Sequence, residues 1–128
     1  MEGLYRKKLF RLRDKSISIH IDVCISEETG SLVIEGHDVG RAVSAAFGDS
    51  DYEYWLTINR ENKPRLFDLF AESDPEAVSV ARGYTMDKDR DKALVSLIQK
   101  HFSQHDVVSK LEELCEAKGI PCEFFSYS

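Results

Sequence analysis

A chain of 128 residues that is 42% hydrophobic and 31% charged has enough apolar material for one domain with its own core, without a disulfide framework or a metal staple. Its formal net charge of −6 works against nonspecific attachment to phosphate backbones and suits a basic protein partner better than nucleic acid. Cys24, Cys115 and Cys122 are odd in number and lack C-x-x-C spacing, so they match neither a disulfide scaffold nor a zinc knuckle; free thiols suit a reducing cytosol.

No apolar run reaches the length of a signal peptide or a bilayer span, so a cytoplasmic protein without membrane attachment is expected. Residues 4–12 hold Leu4, Leu9, Phe10 and Leu12 at no single period and read as a first strand, with a helix as the alternative. Arg6, Lys7, Lys8, Arg11 and Arg13 in and beside this segment are expected to form a solvated face that discourages edge-to-edge pairing, rather than a strip for nucleic acid.

Residues 16–26 give the clearest strand. Ile17, Ile19, Ile21, Val23 and Ile25 alternate with Ser18, His20, Asp22 and Cys24, so one face is core and the other polar. Glu27, Glu28, Thr29 and Gly30 form a turn, and Leu32, Val33 and Ile34 resume the strand, which makes a hairpin. His20 and Asp22 share the polar face because of period 2, and an exposed polar surface explains them better than a catalytic pair.

The period then changes. Val39, Ala42, Val43, Ala46 and Phe47 fall at i, i+3, i+4, i+7 and i+8, which predicts a short helix with His37 or Asp38 as its cap and Gly48 at its end. Gly36 and Gly40 lack the further glycine and the Lys-Ser/Thr pair of a phosphate cradle, so nucleotide binding is rejected. Asp49, Ser50 and Asp51 read as a turn into a strand over 52–58, with Tyr52, Tyr54, Leu56 and Ile58 on one face and Glu53, Trp55 and Thr57 on the other; Trp55 is expected to pack under the next helix, with an interface anchor as the alternative.

A helix over 63–71 follows, with Pro64 in its first turn, and Ser73, Asp74, Pro75 and Glu76 open a second, weaker one through 80 or 81. Residues 82–91 carry the least order by composition. Asp87, Asp89 and Asp91 imitate the start of a calcium loop, but Lys92 stands where glycine is needed and Ile98 where a bidentate glutamate is needed, so a solvated connection is expected.

Ala93, Leu94, Leu97 and Ile98 mark one helix and Val107, Val108, Leu111, Leu114 and Cys115 another, ended by Gly119 and Pro121. His101 and His105 have the spacing of a metal pair without the glutamate of H-E-x-x-H, and are expected to be a helix-end and a loop histidine. Residues 122–127 form a last, aromatic strand. The whole predicts an α+β domain: a largely antiparallel sheet of four to five strands covered by three to four helices, with 72–92 as an insertion or flexible connection.

The stretches L-V-I-E-G-H-D-V-G at 32–40, F-G-D-S-D-Y-E-Y-W-L-T-I at 47–58 and G-I-P-C-E-F-F-S-Y at 119–127 together resemble small bacterial proteins, some of which look like immunity or antitoxin-type partners in bacterial conflict systems. The resemblance covers residues 16–58 and the C-terminal end, while residues 72–105 exceed the short linker it implies. It implies a non-enzymatic module that occludes a partner, and it carries over no catalytic residue.

Glu35, Asp38, Asp49, Asp51 and Glu53 would supply charge toward a basic partner, and Tyr52, Tyr54 or Trp55 the buried anchor, although each carboxylate also fits a cap or turn. A metal-assisted hydrolase built on His37, Asp38, Asp49 and Asp51 is the first alternative. A homo-oligomer joined through an edge strand or the aromatic C-terminus is the second. No cofactor and no metal is expected, because no ligand set stands at a recognised spacing.

Overall fold

The computed structural model describes residues 3–13, 16–40, 51–73 and 87–127. Alternation in β2 (Ile17–Ser26) organises it: Ile21, Val23 and Ile25 are buried at 1% exposure or less, while His20 and Asp22 face the other way. Five strands follow one another in chain order across a single antiparallel sheet: β1 (Gly3–Arg13), β2, β3 (Leu32–Gly40), β4 (Asp51–Ile58) and β5 (Glu123–Tyr127). A short turn joins β2 to β3, whereas β5 returns beside β4 only after the helices. Between β2 and β3, Gly30 takes a φ of 73°, and Ser26 and Ser31 close the turn through a 2.8 Å backbone hydrogen bond.

β1 is an outer strand, as its basic residues suggested, and its pairing with β2 slips twice, between Leu4 and Lys7 and between Lys8 and Phe10. Tyr5 sits in the first slip at a φ of 57°, a left-handed conformation that twists the edge away from further pairing.

β3 corrects the sequence reading. His37, Asp38 and Val39 are strand residues opposite Glu53, Tyr52 and Asp51, not the cap and first turn of a helix. β2 and β4 bond to β3 on both sides, and those long-range backbone bonds outweigh a local helical period. The rest of the expected helix, through Phe47 and Gly48, lies outside the described residues, as do Asp49 and Ser50. Asp51 opens β4 instead of closing a turn.

After a 3-10 turn at Arg60–Asn62, α1 spans Lys63–Ser73 with Pro64 in its first turn, where a missing N–H costs nothing. The weaker helix expected after Ser73 falls outside the described residues. α2 (Asp87–His101) begins inside the stretch expected to be a solvated connection. The first residues of α2 carry no apolar period, but Asp91 reaches Lys63 of α1 at 2.7 Å, and Leu94, Val95, Leu97 and Ile98 are buried behind it. α3 (Val107–Ala117) ends where Gly119, at a φ of 68°, lets the Ile120 N–H bond the Cys115 carbonyl at 2.8 Å.

One core cluster joins Val23, Ile34 and Leu56 of the sheet to Leu66 and Phe70 of α1, Val95 and Ile98 of α2, and Leu111 and Cys115 of α3. The arrangement is α+β, with α2 lying against β1 and β2 and Gln99 donating to the Lys8 carbonyl at 2.9 Å. His101 stacks on Phe70 and His105 packs against Phe10, so the two histidines serve different contacts. Among the described residues no helix is long and apolar enough to cross a membrane.

Candidate functional site

Register partners across a sheet share a face, so the surface turned away from the helices can be read as rows. Arg11, His20, His37, Glu53 and Tyr127 form one row across β1 to β5, and Lys8, Asp22, Glu35, Trp55 and Phe125 the next. Cys24, Val33, Thr57 and Glu123 follow. An open groove of about 1040 Å³ lies over these rows, with Val33, Trp55 and Phe125 as its apolar floor and His20, His37 and Glu53 among its polar lining.

Its two halves differ in charge. Toward β1, Arg6 Nη1 lies 2.8 Å from Glu35 and 3.2 Å from Asp22, and Arg11 Nη2 lies 2.6 Å from the other Asp22 oxygen. Two guanidinium groups and two carboxylates thereby neutralise one another, and the bond to Glu35, stronger than the opposing effect of burial, holds the Arg6 pKa above even its usual high value. Toward β4 and β5 the balance is acidic. Among the described residues His37 lies beside both Asp51 and Glu53, its Nε2 3.4 Å and 3.9 Å from them. That nitrogen is shut off from water and has no aligned hydrogen bond, so proximity rather than a formed bond relates it to the carboxylates.

Between these acids stand the aromatics. The Trp55 and Phe125 rings lie 5.5 Å apart and tilted, and Phe125 and Tyr127 remain 62% and 67% exposed. Trp55 is half-buried against the exposed Phe125, and carboxylates rim the pair.

Of the residues singled out in the sequence, the structure brings Glu35, Asp51, Glu53 and Trp55 to this face, so Trp55 stands on the side away from the described helices rather than under one of them. Strand alternation puts Asp38, Tyr52 and Tyr54 on the other one, where Tyr54 is 8% exposed and its hydroxyl donates to Asp38 at 3.1 Å. The tyrosines therefore serve packing: Tyr54 belongs to the core and Tyr52 sits half-buried against it, with ring centroids 5.3 Å apart. Asp49 lies outside the described residues. The hydrolase set is split for the same reason, since His37 and Asp38 point to opposite faces, and among the described residues no three His, Cys, Asp or Glu side chains gather as a metal site.

No family model, curated protein or solved structure matches the chain. The face must be interpreted from its own chemistry. Burial pushes the Cys24 thiol up to about 11, with Glu35 adding to the shift, and the Cys115 thiol up to about 12, so neither is a ready thiolate nucleophile. Burial also raises Cys122.

Sequence reasoning placed Asp22 on the polar face but missed Arg6, Arg11, Phe125 and Tyr127 as members of it. The period-2 spacing of Phe125 and Tyr127 was a usable signal, but their neighbourhood with Trp55 depended on knowing that β5 pairs with β4.

Proposed function

We propose that the chain is a non-enzymatic protein-binding module of immunity type, which receives a basic segment of a partner protein on the β3–β5 half of the open face. The observation that carries this reading is the half-buried Trp55 against the exposed Phe125, beside Asp51 and Glu53 and with Glu123 on the neighbouring strand. Such a surface offers a lysine or arginine side chain both an aromatic face and a carboxylate. Glu35 plays a smaller part than its charge suggests, because Arg6 already occupies it. In this reading the protein works in a bacterial cytoplasm, with its three cysteines as thiols.

Trp55 is the sole tryptophan, so its fluorescence reports on the groove directly. Titration with an arginine- and lysine-rich peptide should change the Trp55 emission saturably, and a glutamate-rich peptide of equal length should not. A protein captured from bacterial lysate should be retained by the natural chain and released by Trp55→Ala with Phe125→Ala. Equal retention by both forms would contradict the proposed face.

A further inference from the structure

The two outer strands of the sheet are built in opposite ways. β1, although long, slips register twice and carries Arg6, Lys7, Lys8, Arg11 and Arg13, devices that stop another strand from adding to it. β5 has none of them: its pairing with β4 runs in unbroken register, it holds neither proline nor glycine, and Glu123 is its single charge. All five of its residues are exposed, including Phe124 at 45%, and no described strand pairs with its outer edge.

We infer that β5 is a self-association edge, which pairs antiparallel with β5 of a second copy about a two-fold axis through Phe125. Register arithmetic selects this occupant. Pairing centred on Phe125 sets Phe125 against its own copy, Phe124 against Ser126 and Glu123 against Tyr127, so no like charges stand opposite one another. Residues opposite in this way share a face, so Trp55 and Phe125 of one protomer continue into Phe125 and Trp55 of the other. Pairing of β5 with the basic β1 edge of another copy would instead be heterologous and open-ended, and the β1 slips oppose it.

Area sets the strength. Three part-exposed aromatic side chains offer roughly 100 Å² each, so the edge alone falls well short of the about 1,200–2,000 Å² of a standard interface. The dimer is therefore weak and concentration-dependent. Each copy carries a net charge of −6, and mutual repulsion makes the pairing tighter as salt rises, the reverse of what salt does to binding of a basic partner. Opposite salt dependences keep this inference independent of the proposed function.

Sedimentation equilibrium of the full chain over a wide concentration range, at low and high sodium chloride, tests it. The natural chain should pass from monomer to dimer as concentration rises, with the transition shifted to lower concentration at high salt. Phe125→Lys sets two lysines against each other on the axis and should weaken dimerisation at least tenfold. Mixing Phe125→Lys with Phe125→Glu should restore a heterodimer. Phe125 is exposed, and circular dichroism checks that the variants keep their fold. A natural chain that stays monomeric throughout, or a Phe125→Lys dimer of unchanged strength, would overturn the inference.

Discussion

The ring of Tyr54 on β4 fills the position where a side chain at Gly36 on β3 would stand: a Cβ placed at Gly36 would overlap the Cε2 and Cζ atoms of that ring. The two residues are register partners, so the missing side chain of one makes room for the other's aromatic body over the core. Gly36→Ala should therefore force the ring aside and cost about 1–3 kcal/mol, the range for overpacking a fitted interior. Combined with Tyr54→Ala, which empties that space, it should cost much less than the sum of the two single changes. Urea unfolding of the four forms measures this coupling, and strict additivity would mean that the overlap is relieved elsewhere.

Asp38 gives the fold a pH dependence of definite sign. Burial raises its pKa above 3.8, only partly offset by the hydrogen bond from Tyr54 and by His37. A carboxyl group that holds its proton more tightly when folded adds most stability below the unfolded value, and that contribution is lost as pH rises through the raised folded value. Asp38→Asn keeps an acceptor for the Tyr54 hydroxyl and removes the charge. The variant should gain on the natural chain as pH climbs from below 3.8 toward neutrality, when urea midpoints are compared at each pH. A difference that stays flat with pH would show that Asp38 is solvated in both states.

Lys63 and Asp91 form an ion pair between α1 and α2, with side chains only 10% and 17% exposed. A pair so shielded costs desolvation to form, so its presence is weak evidence of stabilisation, but removing one partner strands the other charge. Lys63→Met should cost about 2–4 kcal/mol, a little under the range for a fully buried pair. Lys63→Met with Asp91→Leu should recover most of the loss. Thermal or urea unfolding decides this, and a double variant no better than the single one would assign the cost to packing of the lysine stem instead.

The strands and helices that could be read from the sequence were those whose apolar pattern is local. β2 alternates without a break, and α3 keeps its helical stripe from Val107 to Cys115, so burial follows period. His37 to Val39 misled because a strand held on both sides needs no strong propensity of its own, and the helical spacing of Val39 with Ala42 and Val43 competed with a pairing that sequence does not display. The first turns of α2 were hidden for the converse reason: their support is Lys63, 28 positions earlier. The candidate face was half legible. Alternation separated Trp55 and Glu53 from Tyr54 and Leu56 correctly, yet the charges near residue 35 counted as available until Arg6 was found on Glu35.

Asp51 and Glu53 should matter to recognition and hardly at all to folding. Their side chains are 60% and 44% exposed, and both lie beside His37. Solvent screens such contacts, so each carboxylate should contribute well under about 1 kcal/mol to stability. Toward a basic partner the same two charges act together at long range and speed the encounter, and added salt weakens that steering. Asp51→Asn with Glu53→Gln should leave the thermal midpoint almost unmoved while slowing association with a basic peptide, most strongly at low salt. Stopped-flow recording of Trp55 fluorescence measures the rate. An unfolded double variant would make the two residues structural, and an unchanged association rate in a folded one would remove the acidic half of the face from the recognition argument, leaving the Trp55–Phe125 pair to carry it.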